Sequence, residues 1–319
     1  MARVTRIEDG RDPRLADYAG VREPALLRER GLLIAEGRFV VRRLLGSTRI
    51  RSRSLLLNDA ALTGLSDILD SADLSLDVYV ASPAVIEAAT GFNMHHGCLA
   101  LAERPAEVSM EAVLSTSQFV LVLERVVDAD NVGSVFRSAE AFGVDAVLLS
   151  PGCCDPFYRK AIRTSSGAAL VVPCAAAEPW PDALNQLRAN GFAIAAMTPD
   201  GEAMDIGAFV GTPAARGRIA VLLGTEGHGL TAEALARADV RLRIPMSGAR
   251  LEWLADGGSV PPVLPRDLAH YRSGALLEVG LAARSPHLPT ALDSLNIATA
   301  AGIALHRLHE VRQRRGGPT

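Results

Sequence analysis

Lysine is almost absent from this chain: Lys160 is the only one among 33 basic residues. So strong an arginine preference reads first as a compositional habit and only then as chemistry. The four cysteines, Cys98, Cys153, Cys154 and Cys174, form no CxxC pair and have no zinc-ligand spacing. Metal modules are therefore excluded, and reduced structural thiols are expected. The first ten residues, MARVTRIEDG, are charged and lack an apolar core, so they do not read as a signal peptide. No uninterrupted apolar run approaches the ~20 residues of a membrane helix. A soluble, cytoplasmic protein without membrane contact is expected. Internal repeats and low-complexity tracts are also missing, and so is a glycine-rich GxGxxG fingerprint after the first strand of an α/β unit. A net charge of −3 excludes a nonspecific nucleic-acid sponge.

What is present suffices for sizeable cores: 319 residues, 49% hydrophobic and 22% charged. That length is comfortable for two domains. Thirteen arginines crowd the first 53 residues, from Arg3 to Arg53, with Arg38, Arg42 and Arg43 close together. Residues 1–104 read as a small α/β domain. Helices are expected over Glu23–Arg30, Glu36–Leu45 and Pro83–Ala89. Strands are expected at Leu32–Ile34, Ser54–Leu57, Asp77–Val80 and Cys98–Ala102. His95 and His96 are adjacent with no third partner nearby, which fits loop residues better than ligands. Arg104–Ser109, containing Pro105, reads as a linker, and 105–117 is taken as the connecting stretch.

From residue 118 to the end, strand and helix alternate. Strands are expected at Phe119–Leu123, Ala146–Leu149, Leu170–Val172, Phe192–Met197, Arg218–Leu223 and Val240–Pro245. Helices are expected at Val132–Phe142, Pro156–Thr164, Pro181–Ala189, Ala232–Ala238 and Leu295–Arg312. This alternation predicts a mostly parallel open sheet with helices on its faces. The central stretch is Asp128–Gly143, DADNVGSVFRSAEAFG. Val132, Val135, Phe136, Ala139 and Phe142 recur at helical spacing as one buried stripe. Asp130 or Asn131 is placed to cap the helix, and Gly143 to end it in a left-handed conformation. Arg137 lies off the stripe.

Two later stretches carry chemistry. In Val221–Leu230, VLLGTEGHGL, glycines after a buried strand let backbone amides approach a ligand, and Glu226 supplies a carboxylate. The other is split: Arg243-Ile-Pro-Met246-Ser-Gly ends a strand, and Asp293-Ser-Leu-Asn296 opens the last helix, with Asp293 or Ser294 as its cap. Ala298, Thr299, Ala300, Ala301 and Gly302 make that helix slim enough for close packing.

Together these residues resemble the SpoU (TrmH-like) branch of the SPOUT RNA methyltransferases. An Asn-x-Gly followed by a helical Arg matches Asn131, Gly133 and Arg137. Gly-x-Glu-x-x-Gly matches Gly224, Glu226 and Gly229. An Ile-Pro-Met strand end with a Ser-Leu-Asn helix start matches Ile244, Pro245, Met246, Ser294, Leu295 and Asn296. Arg163-Thr-Ser-Ser-Gly-Ala resembles a further element of the family. The resemblance covers about 118–312, and residues 1–104 are similar to the ribosomal-protein-like RNA-binding domain often fused to it, through Gly31-Leu-Leu-Ile-Ala-Glu-Gly37.

The resemblance implies a sheet tied in a C-terminal trefoil knot, a homodimer, and transfer of a methyl group from S-adenosylmethionine to a ribose 2′-hydroxyl of structured rRNA or tRNA. It implies Arg137, Asn131, Glu226, Ser294 and Asn296 as catalytic residues. Thr198, Gly224, Ile244, Met246 and Leu295 would hold the cofactor. Arg38, Arg42 and Arg163 would contact RNA. An isolated guanidinium is a poor base, so Arg137 is expected to act by pairing with phosphate and stabilising a developing alkoxide. One departure is an insert at about 250–290, rich in Pro and Gly, between motif halves that the family joins by a short loop. A noncatalytic RNA-binding relative and a nucleotide-dependent oxidoreductase are the competing readings.

Overall fold

In the computed structural model, residues 2–19, 24–71, 76–92, 94, 97–246 and 295–313 are described. By Cα proximity the chain divides into Met1–Ile244 with Asn296–Thr319, and Pro245–Leu295. The expected insert, His95, His96 and Ser294 lie outside the described residues.

The first hundred residues build a mixed sheet from β1 (Arg3–Ile7), β2 (Leu32–Glu36), β3 (Ser52–Leu57), β4 (Asp77–Ala81) and β5 (Cys98–Glu103), in the order β1-β4-β3-β5-β2. The pairs β1–β4 and β4–β3 are parallel, whereas β3–β5 and β5–β2 are antiparallel. Interleaved are α1 (Ala16–Ala19), α2 (Pro24–Glu29), α3 (Arg38–Leu45), α4 (Asp59–Ser71) and α5 (Pro83–Thr90). Strand β2 is buried along its whole length, which explains its unbroken apolar run. Three of these elements have no counterpart among the sequence expectations, β1, α1 and α4. Ala61, Leu65 and Leu69 of α4 are buried at a spacing of four, a helical stripe diluted by Gly64 and Ser66.

The second sheet has seven parallel strands: β6 (Phe119–Glu124), β7 (Ala146–Leu149), β8 (Cys174–Ala176), β9 (Ala193–Met197), β10 (Met204–Asp205), β11 (Ile219–Gly224) and β12 (Val240–Arg243). Their order is β10-β12-β9-β11-β6-β7-β8. The helices are α6 (Met110–Thr116), α7 (Ala129–Ala141), α8 (Arg159–Thr164), α9 (Ala183–Ala189), α10 (Ile206–Phe209), α11 (Ala232–Ala236) and α12 (Ile297–Gln313). One core packs β6, β7 and β11 against α7 and α12, and another packs the opposite face against α6 and α9. Sheets buried on both faces read as continuous apolar strands, as β6 does.

Three local expectations change. The stretch 105–117 contains α6, which Ser109 caps and whose Met110, Val113 and Leu114 are buried; only its first half is an open connection. The strand expected at Leu170–Val172 is a 3-10 turn, Ala168–Leu170, and the strand follows at Cys174–Ala176. Ser166 and Gly167 both have positive φ there (+53° and +81°), which breaks extension. Finally, Asp128 caps α7 by accepting from the Asn131 amide. Gly143 does adopt the left-handed φ of +68° expected of it. Among the described residues no helix is long and apolar enough to cross a membrane. Nor does any group of three His, Cys, Asp or Glu among them suit a metal.

Candidate active site

The chain leaves β6 toward β7 on one side, while β11 pairs with β6 on the other. The connections after β6 and β11 therefore run to opposite sides from adjacent strand ends, the usual ligand position in an open α/β sheet. Glu124, the last residue of β6, is buried although acidic. Its carboxylate accepts from Trp180 Nε1 (2.7 Å), the Thr231 amide (2.8 Å) and Thr231 Oγ1 (2.7 Å). These bonds fix the start of α11 and hence the far end of the loop after β11. Glu124 was not singled out from the sequence; the signal available was a lone acid closing an otherwise apolar strand.

That loop, Thr225–Gly229, folds back on itself. Gly229 donates its amide to the Thr225 carbonyl at 2.9 Å, and the two pair as an isolated bridge. A Cβ at Gly224 would collide with the backbone of Gly229 and Leu230, while Gly229 needs its φ of +66°. The two glycines of the motif thus have different causes, close approach and backbone sign. Between them Glu226 is held outward, exposed at the loop tip.

Glu226 meets two residues from distant parts of the chain. Asn296 Nδ2 donates to a carboxylate oxygen of Glu226 and, at 3.1 Å, to Asn131 Oδ1. Asn296 Oδ1 accepts from the amides of Ala298 (2.9 Å) and Thr299 (3.3 Å). Asn296 is therefore the cap of α12, the role expected of Asp293 or Ser294, which lie outside the described residues. Its carbonyl is committed to the helix amides, so its NH₂ must face Asn131 and Glu226. Among the described residues, a Glu226 carboxylate oxygen and the Asn131 amide NH₂ of this cluster have no partner, an acceptor beside a donor.

Arg137 sits on the exposed face of α7 and makes no hydrogen bond or ion pair among the described residues. One turn beyond it, Glu140 accepts from both terminal nitrogens of Arg43, one at 2.9 Å. The helix itself is clamped on α8: a Cβ at Gly133 would lie 2.6 Å from the Ala161 carbonyl oxygen. Asp130 also pairs with Lys160 (2.8 Å) and accepts from Thr164 Oγ1 (2.8 Å). Those partners, Lys160 first, hold the Asp130 carboxyl below the ordinary carboxylate range.

Thr198, Gly224 and Ile244 stand at or just past the carboxyl ends of β9, β11 and β12, which are neighbours in the sheet. These three expected cofactor residues therefore occupy one edge. Thr198 donates its amide to the Leu242 carbonyl at 2.9 Å, tying β9 to β12 there. Met246 and Leu295 belong to Pro245–Leu295, and Met246 is exposed. Of the residues expected to meet RNA, Arg42 is held by Asp67 (2.5 and 2.7 Å) and the Gly64 carbonyl (2.8 Å). Arg163 lies 3.4 Å from Glu36 and stays half-exposed. Arg38 has no ion pair among the described residues. Many arginines before residue 54 face an acid, including Arg3 with Asp77, Arg6 with Asp59 and Arg30 with Asp17. Exposed pairs of this kind are weak and screened by solvent, so phosphate can displace the acid.

A family model described as the SpoU rRNA Methylase family matches residues 118–250. An uncharacterised tRNA/rRNA methyltransferase of Mycobacterium tuberculosis (strain H37Rv) is 44% identical over 248 residues, spanning 76% of this chain and 85% of its own. The 23S rRNA (guanosine(2553)-2′-O)-methyltransferase of Bacillus subtilis is 25% identical over 245 residues, 77% of this chain and 92% of its own. Among solved structures, an RNA 2′-O ribose methyltransferase superposes with a TM-score of 0.69 at 23% identity, covering 97% of this chain and all of that one. An S-adenosylmethionine-bound rRNA methyltransferase from Sinorhizobium meliloti gives 0.68 at 20% identity, covering 96% and 98%.

Proposed function

This chain belongs to the SpoU rRNA Methylase family, and we propose that it transfers a methyl group from S-adenosylmethionine to a ribose 2′-hydroxyl of structured rRNA or tRNA. Its α/β architecture, mostly parallel in the second sheet, is that of the SpoU/TrmH methyltransferases, a fold that carries a trefoil knot. The observation that carries the proposal is the meeting of Asn131, Glu226 and Asn296, from three separate motifs, where the segments after β6 and β11 and the start of α12 come together.

The residues fit the cofactor. Backbone at Thr198, Gly224 and Ile244 forms a contiguous edge, and the missing Cβ of Gly224 lets the loop close behind it. Leu295 and Met246 are carried over by the motif match alone. When bound, S-adenosylmethionine supplies an activated methyl on a sulfonium, so the protein's work is alignment and charge management. Glu226 accepts from, and Asn131 donates to, the ribose hydroxyls, fixing the attacking oxygen. Asn296 holds both side chains in register. Arg137, uncommitted to any acid among the described residues, pairs with the target phosphate and stabilises negative charge growing on the 2′-oxygen.

Residues 1–104 form the RNA-binding part in this reading, and the chain works as a homodimer. Exposed Val127 and Ile303 offer apolar surface just before α7 and on α12. A calorimetric titration with S-adenosylmethionine, followed by tritiated methyl transfer into total rRNA and tRNA, tests the proposal. No cofactor affinity, or no alkali-resistant ribose methylation, refutes it.

A further inference from the structure

Eight phenylalanines are spread through the chain, and seven are buried or half-buried. Phe39 is the exception, 63% exposed. It stands in the first turn of α3, a helix that buries Val40, Val41 and Leu44 on its other side. Exposing a lone phenyl ring in water is unfavourable, and what surrounds it bears on why the ring is outside. The guanidinium carbon of Arg43 lies 5.9 Å from the ring centroid. Glu140 and the Ser166 carbonyl pin that guanidinium, so the ring's flank is fixed.

Arg38, adjacent to Phe39, lies against Gly64 of α4. A Cβ there would come within 2.8 Å of Arg38 Nη1. Gly64 thus leaves a seat for a guanidinium that no acid among the described residues neutralises. On the preceding side, buried Glu36, three residues before Phe39, is shared by half-exposed Arg163 and by Arg159, which itself lies over the Phe92 ring at 4.7 Å. Beside the Phe39 ring, Arg43 is matched by Glu140 while Arg38 meets no acid among the described residues, so one guanidinium charge is left in excess. An apolar protein surface covering Phe39 would have to desolvate this excess charge. An unpaired nucleotide satisfies both features, since its base stacks on a ring while its phosphates meet arginine.

The position also connects to the reaction site. Phe39 contacts Arg43, Arg43 grips Glu140, and Glu140 is one helical turn from Arg137. We propose that Phe39 is the stacking platform for an unpaired nucleobase flanking the target nucleotide, with Arg38 and Arg163 on the adjoining phosphates. This rests on the reading of the protein as an RNA methyltransferase, but it adds a distinct determinant: the substrate presents a splayed-out base, not a continuous duplex.

The full-length protein is titrated against fluorescein-labelled oligoadenylate and against the same backbone carrying abasic riboses. Wild type is expected to prefer the base-bearing probe by about 5- to 140-fold, the range of one base–aromatic stack. Phe39→Ala and Phe39→Leu should erase that preference, and Phe39→Trp should keep it. Arg38→Ala should weaken both probes alike and flatten the salt dependence by about 0.7 in log–log slope. Equal binding of the two probes by wild type overturns the proposal, as does a preference that survives Phe39→Ala. So does a dimer-to-monomer change of Phe39→Ala in sedimentation velocity, which would assign the ring to a second copy. A wild-type protein that shows the preference, and loses it on Phe39→Ala, yet fails to bind S-adenosylmethionine would refute methyl transfer while leaving the platform standing.

Discussion

Asn296, at the start of the last helix, donates its side-chain amide to the carboxylate of Glu226, seventy residues earlier in the chain. One asparagine thereby caps α12 through its oxygen and joins Glu226 to Asn131 through its nitrogen. Asn296→Asp separates the two roles, because aspartate keeps the capping oxygen and loses the donor. Two carboxylates would then face each other at hydrogen-bond distance. Methyl transfer should fall at least tenfold while the melting temperature moves by only a few degrees. A variant with wild-type activity would detach Asn296 from the chemistry.

Arg137 carries charge at the exposed face of α7 without a protein partner among the described residues. Arg137→Ala should abolish methyl transfer while S-adenosylmethionine affinity stays within a few-fold, since nothing places the guanidinium at the strand ends proposed to hold the cofactor. Arg137→Lys should recover only part of the rate, because a point charge lacks the planar fork that grips phosphate. Calorimetry and single-turnover transfer together decide this. Activity of Arg137→Ala within a few-fold of wild type refutes the assigned role.

Gly224→Ala tests the close approach of the β11 loop to itself. The added methyl meets the backbone of Gly229 and Leu230, which cannot rotate away as a side chain could. A destabilisation of about 1–3 kcal/mol is expected, together with loss of cofactor binding. Chemical denaturation and calorimetry report the two effects separately. Retained affinity would show that the loop's closure is not needed for the cofactor.

The thiols should be inert. Burial pushes Cys98 up to about 12, and Cys154 and Cys174 to about 11; it also raises Cys153. At neutral pH very little thiolate exists, so iodoacetamide should label the native protein roughly two orders of magnitude more slowly than free cysteine. The rate should climb as pH rises through the alkaline range and jump on denaturation. Fast stoichiometric labelling at neutral pH would reveal a cysteine with an accessible thiolate.

Much of this was legible in the sequence because it is local. The apolar runs at Phe119–Leu123 and Ala146–Leu149 and the stripe through Val132, Val135, Phe136 and Ala139 name their own strands and helix. The glycines at 224 and 229 mark a loop whose backbone does something a side chain would prevent. Short motifs at strand ends likewise pointed to Asn131, Glu226 and Asn296 as a group. The errors were local too: Ser166 and Gly167 turn the chain where Leu170–Val172 alone reads as strand, and a helical stripe at Met110, Val113 and Leu114 sits behind a proline.

What the sequence could not decide is which charges are spent and which are free, because ion pairs join residues far apart in the chain. Arg42 and Arg38 are indistinguishable in the sequence. Tertiary packing gives Arg42 the carboxylate of Asp67 and leaves Arg38 on the bare surface of Gly64. The same holds for Asn296: its spacing marks a helix start, but only the return of α12 to α7 brings its amide to Glu226 and Asn131. Periodicity and turn chemistry act over a few residues and are written in the sequence. Electrostatic pairing acts through space, so it is fixed only when the fold has chosen the neighbours.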